Sequence, residues 1–165
     1  CLPRLLIRKE DSTMTIKIRR AKTEDTAAIV ELGNSFWMQT GYFKAGVAYD
    51  TDHCVELAEA LRVHGISQVA YDGDRLVGLF LGVIGAIPFS PTTQSATEMV
   101  FYVDPDYRKS GLGGKIVKQA ENVCRQLGVT YLNMIHLDSV DPVKAEGLYN
   151  KMGYHKSETV FTKAV

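Results

Sequence analysis

Two hydrophobic periods alternate along the chain, one that repeats every second residue and one that repeats every three to four. The first period is typical of half-buried strands and the second of amphipathic helices. Ile16 and Ile18, for example, are separated by Lys17, whereas Leu57 and Leu61 stand one helical turn apart. The strand pattern is predicted at residues 15–20, 67–71, 75–87, 98–103, 130–137 and 154–162.

Capping residues and glycines divide the remaining chain into helices and loops. Helices are predicted over about residues 23–41, 52–65, 115–128 and 141–153. Asp52 is the predicted N-cap of the second helix, and residues 88–96, rich in Pro, Ser and Thr, are predicted to form a loop. The resulting order, β-α-α-β-β-β-α-β-α-β, predicts an α+β fold with a mixed sheet and one parallel crossover.

Residues 1–13 lack this periodicity and mix charges of both signs with one proline. The first convincing strand begins directly after Met14. We therefore expect residues 1–13 to be a flexible N-terminal extension or leader, and residues 14–165 to form one domain.

Composition excludes several classes of function. The chain has 19 basic and 19 acidic residues, so no net charge favours nucleic acid or an anionic membrane as a partner. No apolar run reaches the roughly 20 residues of a membrane span. The three cysteines, at positions 1, 54 and 124, are predicted to be reduced thiols, buried at 54 and 124, in a cytoplasmic protein. No Cys/His pair has metal-ligand spacing, so no metal is expected.

A glycine-rich turn separates the strand at 98–103 from the helix that follows. It reads Arg108-Lys109-Ser110-Gly111-Leu112-Gly113-Gly114-Lys115. Backbone N–H groups at the start of a helix are unpaired and carry the positive end of its dipole, so such a turn favours an anion. We interpret it as a pyrophosphate-binding loop, the alternative being a turn that merely caps the helix.

Two common phosphate-binding motifs do not fit this turn. A Walker A loop requires Gly at position 109 and Ser or Thr at 116, where this chain has Lys109 and Ile116. The dinucleotide fingerprint requires three differently spaced glycines after the first strand of a βαβ unit, and the turn comes too late in the chain.

The turn resembles the acyl-CoA loop of the GCN5-related N-acetyltransferase (GNAT) family, Gln/Arg-x-x-Gly-x-Gly/Ala. Arg108, Gly111 and Gly113 fill its three fixed positions. A second segment, from Ala145 to Tyr154, reads A-x-x-L-Y-x-K-x-G-Y and is similar to the family's A-x-x-L-Y-x-K-x-G-F. The order of predicted elements over residues 15–165 is also that of the family.

This resemblance implies a three-layer fold with a mixed sheet of about six to seven strands flanked by about four helices. It also implies acetyl transfer from acetyl-CoA, as cosubstrate, to a primary amine by direct attack in a ternary complex. In the family, the pantetheine arm lies in a V between two strands, here 100–103 and 131–136, with an oxyanion donor near Val100 or Phe101. The implied cofactor-binding residues are Phe101, Tyr102, Val103, Arg108, Lys109, Ser110, Gly111, Leu112, Gly113, Gly114 and Lys115.

Glu98, on the strand before the loop, is the candidate general base. A primary amine with a pKa near 10 must lose a proton before it attacks. Burial near Phe80 and Tyr102 would raise the carboxyl pKa toward 6–7. The alternatives are an exposed strand-edge carboxylate without this role, or His136 or Asp138 acting as base through water.

Tyr149, in the second motif, is implied to hydrogen-bond the CoA sulfur and to protonate the departing thiolate. The alternative is an aromatic residue of the core. One position departs from the family pattern, since Pro142 stands where many members have Asn; Ser139 or Asp141 is a possible substitute.

The identity of the acceptor stays open at this stage. Its walls are predicted to come from residues 37–49, 88–96 and the last hairpin, with the aromatic residues Trp37, Tyr42, Phe43, Tyr49 and Phe89. A homodimer through the edge of strand 75–87 is possible. A non-catalytic CoA-binding sensor, or an interaction protein that has lost the cofactor, is the alternative to an enzyme.

Overall fold

The computed structural model describes residues 15–165. The predicted extension at 1–13 and Met14 lie outside this range, so the domain boundary stays a prediction. The strands are β1 (Ile16–Arg20), β2 (Ile66–Asp72), β3 (Arg75–Ile87), β4 (Ser90–Val103) and β5 (Tyr131–Asn133). The helices are α1 (Thr26–Trp37), α2 (Gly41–Lys44), α3 (Thr51–His64), α4 (Leu112–Gln126) and α5 (Pro142–Lys151). Within the described range, none of the helices has the length and apolarity needed to cross a membrane.

The five strands form one mixed sheet in the order β1-β2-β3-β4-β5. The first four are antiparallel neighbours, whereas β4 and β5 are parallel and are joined by the crossover helix α4. The predicted fold class is therefore confirmed. The strand number over residues 15–165 is five rather than six to seven, and α2 adds a one-turn helix to the predicted four.

The predicted loop at 88–96 is wrong, because β4 already begins at Ser90. Its first residues pair with the end of β3, from Ile84 opposite Ala96 to Ile87 opposite Ser90. A register shift between Ala86 and Ile87 lies next to Pro91, and such a bulge tolerates a residue without an N–H. Pairing with a long neighbouring strand has outweighed the local preference for a loop.

The predicted strands at the C-terminal end are shorter or absent. The strand predicted over 130–137 is reduced to β5, and residues 154–165 form no strand. Their alternating pattern includes Val160 and Phe161, which are 84% and 92% exposed. Alternation indicates an extended chain, but a strand also needs a neighbour to pair with.

The predicted N-cap of α3 is also wrong by two residues. The helix begins at Thr51, and Asp50 is its cap, with Oδ1 accepting from the His53 N–H at 3.0 Å. Asp52 instead adds a negative charge in the first turn, where it favours the helix dipole.

Two apolar layers hold helices on the two faces of the sheet. On one face α4 packs through Ile116 against Phe80, and on the other α1 and α3 pack against Leu79 and Val69. Gly78 permits the close approach of α4, since a Cβ there would lie 2.6 Å from Ile116 Cδ1. This produces the three-layer arrangement and leaves β4 next to a short β5.

Two further expectations about exposure can be compared with the fold. Cys124 is buried as predicted, but Cys54 is partly exposed; both are free thiols. Strand β3 lies between β2 and β4. Its residues 83–87 pair with β4 on one side and are not paired with β2 on the other. The homodimer through this edge stays a prediction.

Candidate active site

The two parallel strands, β4 and β5, pair over three residues and then separate. Residues 95–97 of β4 pair with 131–133 of β5, and no further pair between the two strands is recorded in the described chain. At this point β4 carries a bulge, because Gly82 lies opposite Glu98 but Leu81 lies opposite Val100. A bulge bends its strand and ends regular pairing. The V predicted between β4 and the β5 segment therefore opens at residue 98.

A cavity of about 640 Å³ occupies this opening, within the usual range of small-molecule sites. On the side of α4 and α5, Phe101, Gly113 and Leu148 line it. Residues of α1, α2 and α3 line the opposite side. The cavity therefore reaches both faces of the sheet through the gap between β4 and β5.

Glu98 lies at the mouth of this gap and is 5% exposed. Its Oε2 accepts a hydrogen bond from the Ile135 N–H at 2.9 Å. Burial raises the pKa of its carboxyl to about 7, while the backbone N–H groups of Ile135 and Phe101 act in the opposite direction. No ion pair to Glu98 is recorded within residues 15–165. A carboxyl in this state can exchange a proton near neutral pH.

Tyr149 also contacts Ile135, through the carbonyl oxygen rather than the N–H. Its side chain is 7% exposed, and its hydroxyl donates to the Ile135 carbonyl at 3.0 Å. Burial raises the pKa of Tyr149 above its ordinary value, and the charges of Glu98 and Tyr154 add to this rise. One peptide segment thus binds both predicted catalytic side chains. Ile135 was missed because it acts through backbone groups, which leave no residue-type signal in a sequence.

The glycine-rich turn forms the N-terminus of α4. Gly111 is the N-cap in a left-handed conformation, with φ of 77°, which glycine adopts without strain. Leu112 is 1% exposed and anchors the turn in the core. Ser110 Oγ donates to the Tyr107 carbonyl at 2.6 Å and accepts from the Leu112 N–H at 3.3 Å.

Three backbone N–H groups of the turn are available to a ligand. The Lys115 N–H is bonded to the Gly111 carbonyl at 3.3 Å, but none of the described residues accepts from the N–H groups of Gly111, Gly113 or Gly114. These groups stand at the positive end of a 15-residue helix. The residues present therefore fit an anion such as a pyrophosphate.

Arg108 connects the turn to the opposite wall of the cavity. Its Nε donates to the Val103 carbonyl at 2.9 Å and its Nη2 to Gln39 Oε1 at 3.1 Å. Gln39 in turn donates to the Tyr102 hydroxyl at 2.6 Å, and the guanidinium lies 5.2 Å from the Tyr102 ring centroid. Gln39, just after α1, was missed because it is distant in sequence from the motif that it supports.

The structure places most, but not all, predicted site residues at the cavity. Those that line it are Glu98, Phe101, Tyr102, Val103, Arg108, Gly111, Gly113, Gly114 and Tyr149. Lys109, Ser110 and Lys115 are exposed outside the lining, and the Leu112 side chain belongs to the core. The alternative base His136 also lines the cavity, with its Nδ1 3.9 Å from Asp138 Oδ1.

The predicted aromatic residues of the acceptor side are divided in the same way. Trp37, Tyr42 and Tyr49 line the cavity, whereas Phe43 packs on Trp37 with ring centroids 4.9 Å apart. Phe89 is 96% exposed and lies outside the lining, as do the other residues of 88–96. The apolar side chains of α1 and α3 provide that wall instead.

Of the two residues suggested in place of the family's Asn, Asp141 lines the cavity. It precedes α5 and pairs with Lys144. Ser139 has another role, since its Oγ accepts from the Gly41 N–H at 2.8 Å and holds α2 against this segment.

Several solved structures share this architecture over about nine tenths of the chain. Ribosomal-protein-alanine N-acetyltransferase from Brucella melitensis biovar Abortus 2308 has a TM-score of 0.71 at 15% identity, covering 91% of this chain and 99% of that one. Glucosamine-6-phosphate N-acetyltransferase from Arabidopsis thaliana has 0.70 at 18%, covering 91% and 98%. Aminoglycoside 6'-N-acetyltransferase from Acinetobacter baumannii has 0.67 at 20%, covering 91% and 99%. At these identities the likeness shows the fold.

A family model described as an acetyltransferase (GNAT) domain matches residues 47–156, two thirds of the 165-residue chain. No curated protein gives a significant match. The matched range contains the divergent strands, the glycine-rich turn, Glu98 and Tyr149. The chain therefore belongs to the GNAT acetyltransferase family.

Proposed function

We propose that the protein transfers the acetyl group of acetyl-CoA to a primary amine by direct attack in a ternary complex. The observation that carries this proposal is the meeting of Glu98 and Tyr149 at the N–H and C=O of Ile135. Both side chains are buried at the mouth of the strand gap. The likeness to amine-acetylating enzymes in the solved structures supports the same reaction class.

The glycine-rich turn is the proposed site of the cosubstrate pyrophosphate. The N–H groups of Gly111, Gly113 and Gly114 would bind its oxygens, and Arg108 would add a nearby positive charge. The β4 segment from Phe101 to Val103 would lie beside the pantetheine arm, since that part of the strand has no β5 neighbour. Bound acetyl-CoA supplies the activated acetyl group.

Glu98 is the proposed general base. Its raised pKa places the carboxyl where a fraction is ionised and a proton can be accepted at neutral pH. The attacking ammonium, with an ordinary pKa near 10, must lose one proton before its nitrogen can form the new bond. The carboxylate takes that proton, directly or through one water.

Tyr149 is the proposed proton donor to the departing sulfur. Its raised pKa keeps the hydroxyl protonated, so it can always donate a hydrogen bond. The dry surroundings that raise this pKa raise that of a thiolate in the same cavity as well, because burial disfavours both anions. Burial therefore makes proton transfer from Tyr149 to the departing thiolate less unfavourable than the raised pKa of Tyr149 alone would suggest.

Release of free thiol from acetyl-CoA, followed with a panel of amines, tests the reaction directly. Tyr149→Phe removes the hydroxyl that binds Ile135 and should lower kcat by about a hundredfold or more, with acetyl-CoA binding preserved. Unchanged kcat in this variant would remove Tyr149 from the mechanism.

Calorimetric titration with acetyl-CoA tests the phosphate loop. Gly113→Glu puts a carboxylate beside Phe101, to which a Cβ at 113 would come within 3.4 Å, and should abolish binding. Gly147→Glu is the matched control, since a Cβ there meets nothing within 4 Å and Gly147 lies outside the cavity lining. Equal affinity of the two variants would contradict the assignment of the loop.

Thermal unfolding with and without acetyl-CoA, together with the thiol-release assay, separates an enzyme from a CoA-binding sensor. Thermal stabilisation by acetyl-CoA without turnover of any amine would favour the sensor. Absence of stabilisation would contradict both functions.

A further inference from the structure

The wall of the cavity opposite the phosphate loop differs in chemistry from the rest. We call the part of the lining contributed by residues 29–58, in α1, α2, α3 and the segments between them, the helical wall. Its largest side chains are Ile29, Phe36, Trp37, Tyr42, Tyr49 and Leu57, and it also includes Cys54. Among the described residues of α1 to α3, no Asp, Glu, Lys, Arg or His lines the cavity. The lining residues of these five types come instead from β4, from the loop before α4 and from residues 136–144.

Two polar side chains of the helical wall are already hydrogen-bonded within the protein, whereas the Trp37 indole N–H is buried without a partner among the described residues. The Tyr49 hydroxyl donates to the Val30 carbonyl at 2.7 Å, and Thr40 Oγ1 donates to the Trp37 carbonyl at 2.7 Å. Trp37 also packs against Tyr49, with ring centroids 5.5 Å apart. The wall therefore presents aromatic rings and aliphatic groups. A hydroxyl-rich ligand would lose more hydrogen bonds to water here than the few free polar groups of the wall can replace.

The carboxylates of the cavity leave room for one ammonium group. Glu98 has no recorded ion pair within residues 15–165 and is the proposed base. The other carboxylate in the described lining, Asp141, pairs with Lys144. A second ammonium group of a polyamine or an aminoglycoside would therefore stand against apolar groups, which is unfavourable for an unpaired charge.

We infer that the acceptor is a small monoamine whose primary amino group is attached to an aromatic or branched aliphatic body. The inference rests on the proposed function, because it assigns the amino group to Glu98 and the apolar body to the helical wall. The size limit follows from the cavity of about 640 Å³, which also has to hold the acyl end of the cosubstrate.

A comparison of acceptors tests this class. The probes are 2-phenylethylamine and 3-methylbutylamine against spermidine, glucosamine 6-phosphate and kanamycin, with acetyl-CoA at saturation. We expect kcat/KM for the first two to exceed that for each of the other three by at least about tenfold. In the series from butylamine to hexylamine, each added methylene should raise kcat/KM about threefold to fourfold, as burial of one methylene predicts.

Two isosteric variants of Cys54 provide the matched test. Cys54 is partly exposed in the first turns of α3, where a carboxylate favours the helix dipole, so both variants should fold. Cys54→Asp should lower kcat/KM for 2-phenylethylamine by about tenfold relative to Cys54→Asn, and raise it for spermidine, because the charge is placed on the helical wall. Equal acceptor profiles of the two variants would overturn the inference.

Binding can be followed without turnover, because Trp37 is the sole tryptophan of the chain and lies on the helical wall. Its fluorescence should respond to 2-phenylethylamine at lower concentration than to kanamycin in the acetyl-CoA-saturated protein. The reverse order of affinity, or better turnover of the polar amines, would overturn the inference and leave acetyl transfer in place. A fluorescence response without turnover of any amine would instead support the apolar site and contradict the proposed catalysis.

Discussion

Asp25 and Glu98 are two buried carboxylates at opposite ends of the sheet, and their surroundings give them opposite acidities. Asp25, just before α1, is 2% exposed, and Glu98, in β4, is 5% exposed. The pKa of Asp25 is lowered to about 2, whereas that of Glu98 is raised to about 7. Burial alone would raise both pKa values, so the difference lies in the partners.

Asp25 has partners for both carboxylate oxygens. Arg19 binds it through two nitrogens at 2.6 and 2.8 Å, the Lys22 N–H donates at 2.7 Å and the Tyr71 hydroxyl donates at 2.8 Å. The Arg19 hydrogen bonds are the largest cause of the lowered pKa. This corner joins β1, β2 and the start of α1, and its carboxylate stabilises the fold.

Within residues 15–165 no cation pairs with Glu98, and its carboxylate accepts a hydrogen bond from the Ile135 N–H. The protein thereby keeps a carboxylate whose charged form is unfavourable in the folded state. Such an arrangement decreases stability and is typical of catalytic positions. Burial alone therefore does not distinguish the structural carboxylate of Asp25 from the proposed catalytic one of Glu98, whereas the cation paired with Asp25 does.

The largest expected effect is on catalysis. Glu98→Gln keeps the shape of the side chain but removes proton transfer, and it should lower kcat by about 10²- to 10⁴-fold. In the unmodified protein, the logarithm of kcat/KM should rise with pH and level off near pH 7, where Glu98 loses its proton. This rising limb should disappear in the variant.

Asp25→Asn is the control for this prediction, because it removes a buried carboxylate outside the cavity lining. Its rate should retain the rising limb near pH 7. A profile unchanged by Glu98→Gln would assign the base to His136 or to water.

The second prediction concerns stability at the other carboxylate. Asp25→Asn should lower the free energy of unfolding by about 3 kcal/mol at pH 7, since it leaves Arg19 without its charged partner in a partly buried site. Because the folded-state pKa is below the ordinary value of 3.8, this stabilisation is present above pH 4 and is lost as the pH falls toward 2.

Denaturant unfolding of both proteins between pH 2 and pH 7 measures this difference. It should shrink steadily below pH 4. A difference that is constant with pH would show that shape, rather than charge, accounts for the effect.

The third prediction is the opposite pH dependence at Glu98. The folded-state pKa is raised, so the unfolded chain loses its proton first and stability decreases between about pH 4.5 and pH 7. Glu98→Gln removes this loss. Relative to the unmodified protein, the variant should therefore gain about 3 kcal/mol of unfolding free energy between pH 4 and pH 8. A variant that follows the unmodified protein at every pH would contradict the raised pKa.

The sequence predicts more of the candidate active site than of the Asp25 site. Periodicity predicted the four long helices and most of the strands. Two motifs located the glycine-rich turn and Tyr149, and Glu98 was identified as the acid on the strand directly before that turn. These features are local, because spacing within about ten residues determines them. The residues that connect these features in the fold are distant from them in sequence.

Nonlocal pairing explains the errors and omissions. The start of β4 depends on the length of β3, and the unpaired 154–165 segment has the same alternation as a paired strand. Gln39 and Ile135 reach the site through the fold, and the role of Ile135 is carried by its backbone. In the same way, Asp25 is recognisable as an acid in the first turn of a helix, but its pair with Arg19 depends on the turn between them.

The smallest expected effect separates the contributions of the cation and the hydroxyl at Asp25. Tyr71→Phe removes the hydroxyl bond and leaves Arg19 in place, so the free energy of unfolding should fall by about 1.5 kcal/mol, the value typical of a bond to a charged group. The acid loss of stability should then begin at a higher pH, because Asp25 has one fewer donor. Tyr107→Phe is the matched control, since that hydroxyl donates at 2.8 Å to the less buried Asp72. If the acid loss of stability begins at the same pH in Tyr71→Phe as in the unmodified protein, the low pKa of Asp25 is due to Arg19 and the Lys22 N–H alone.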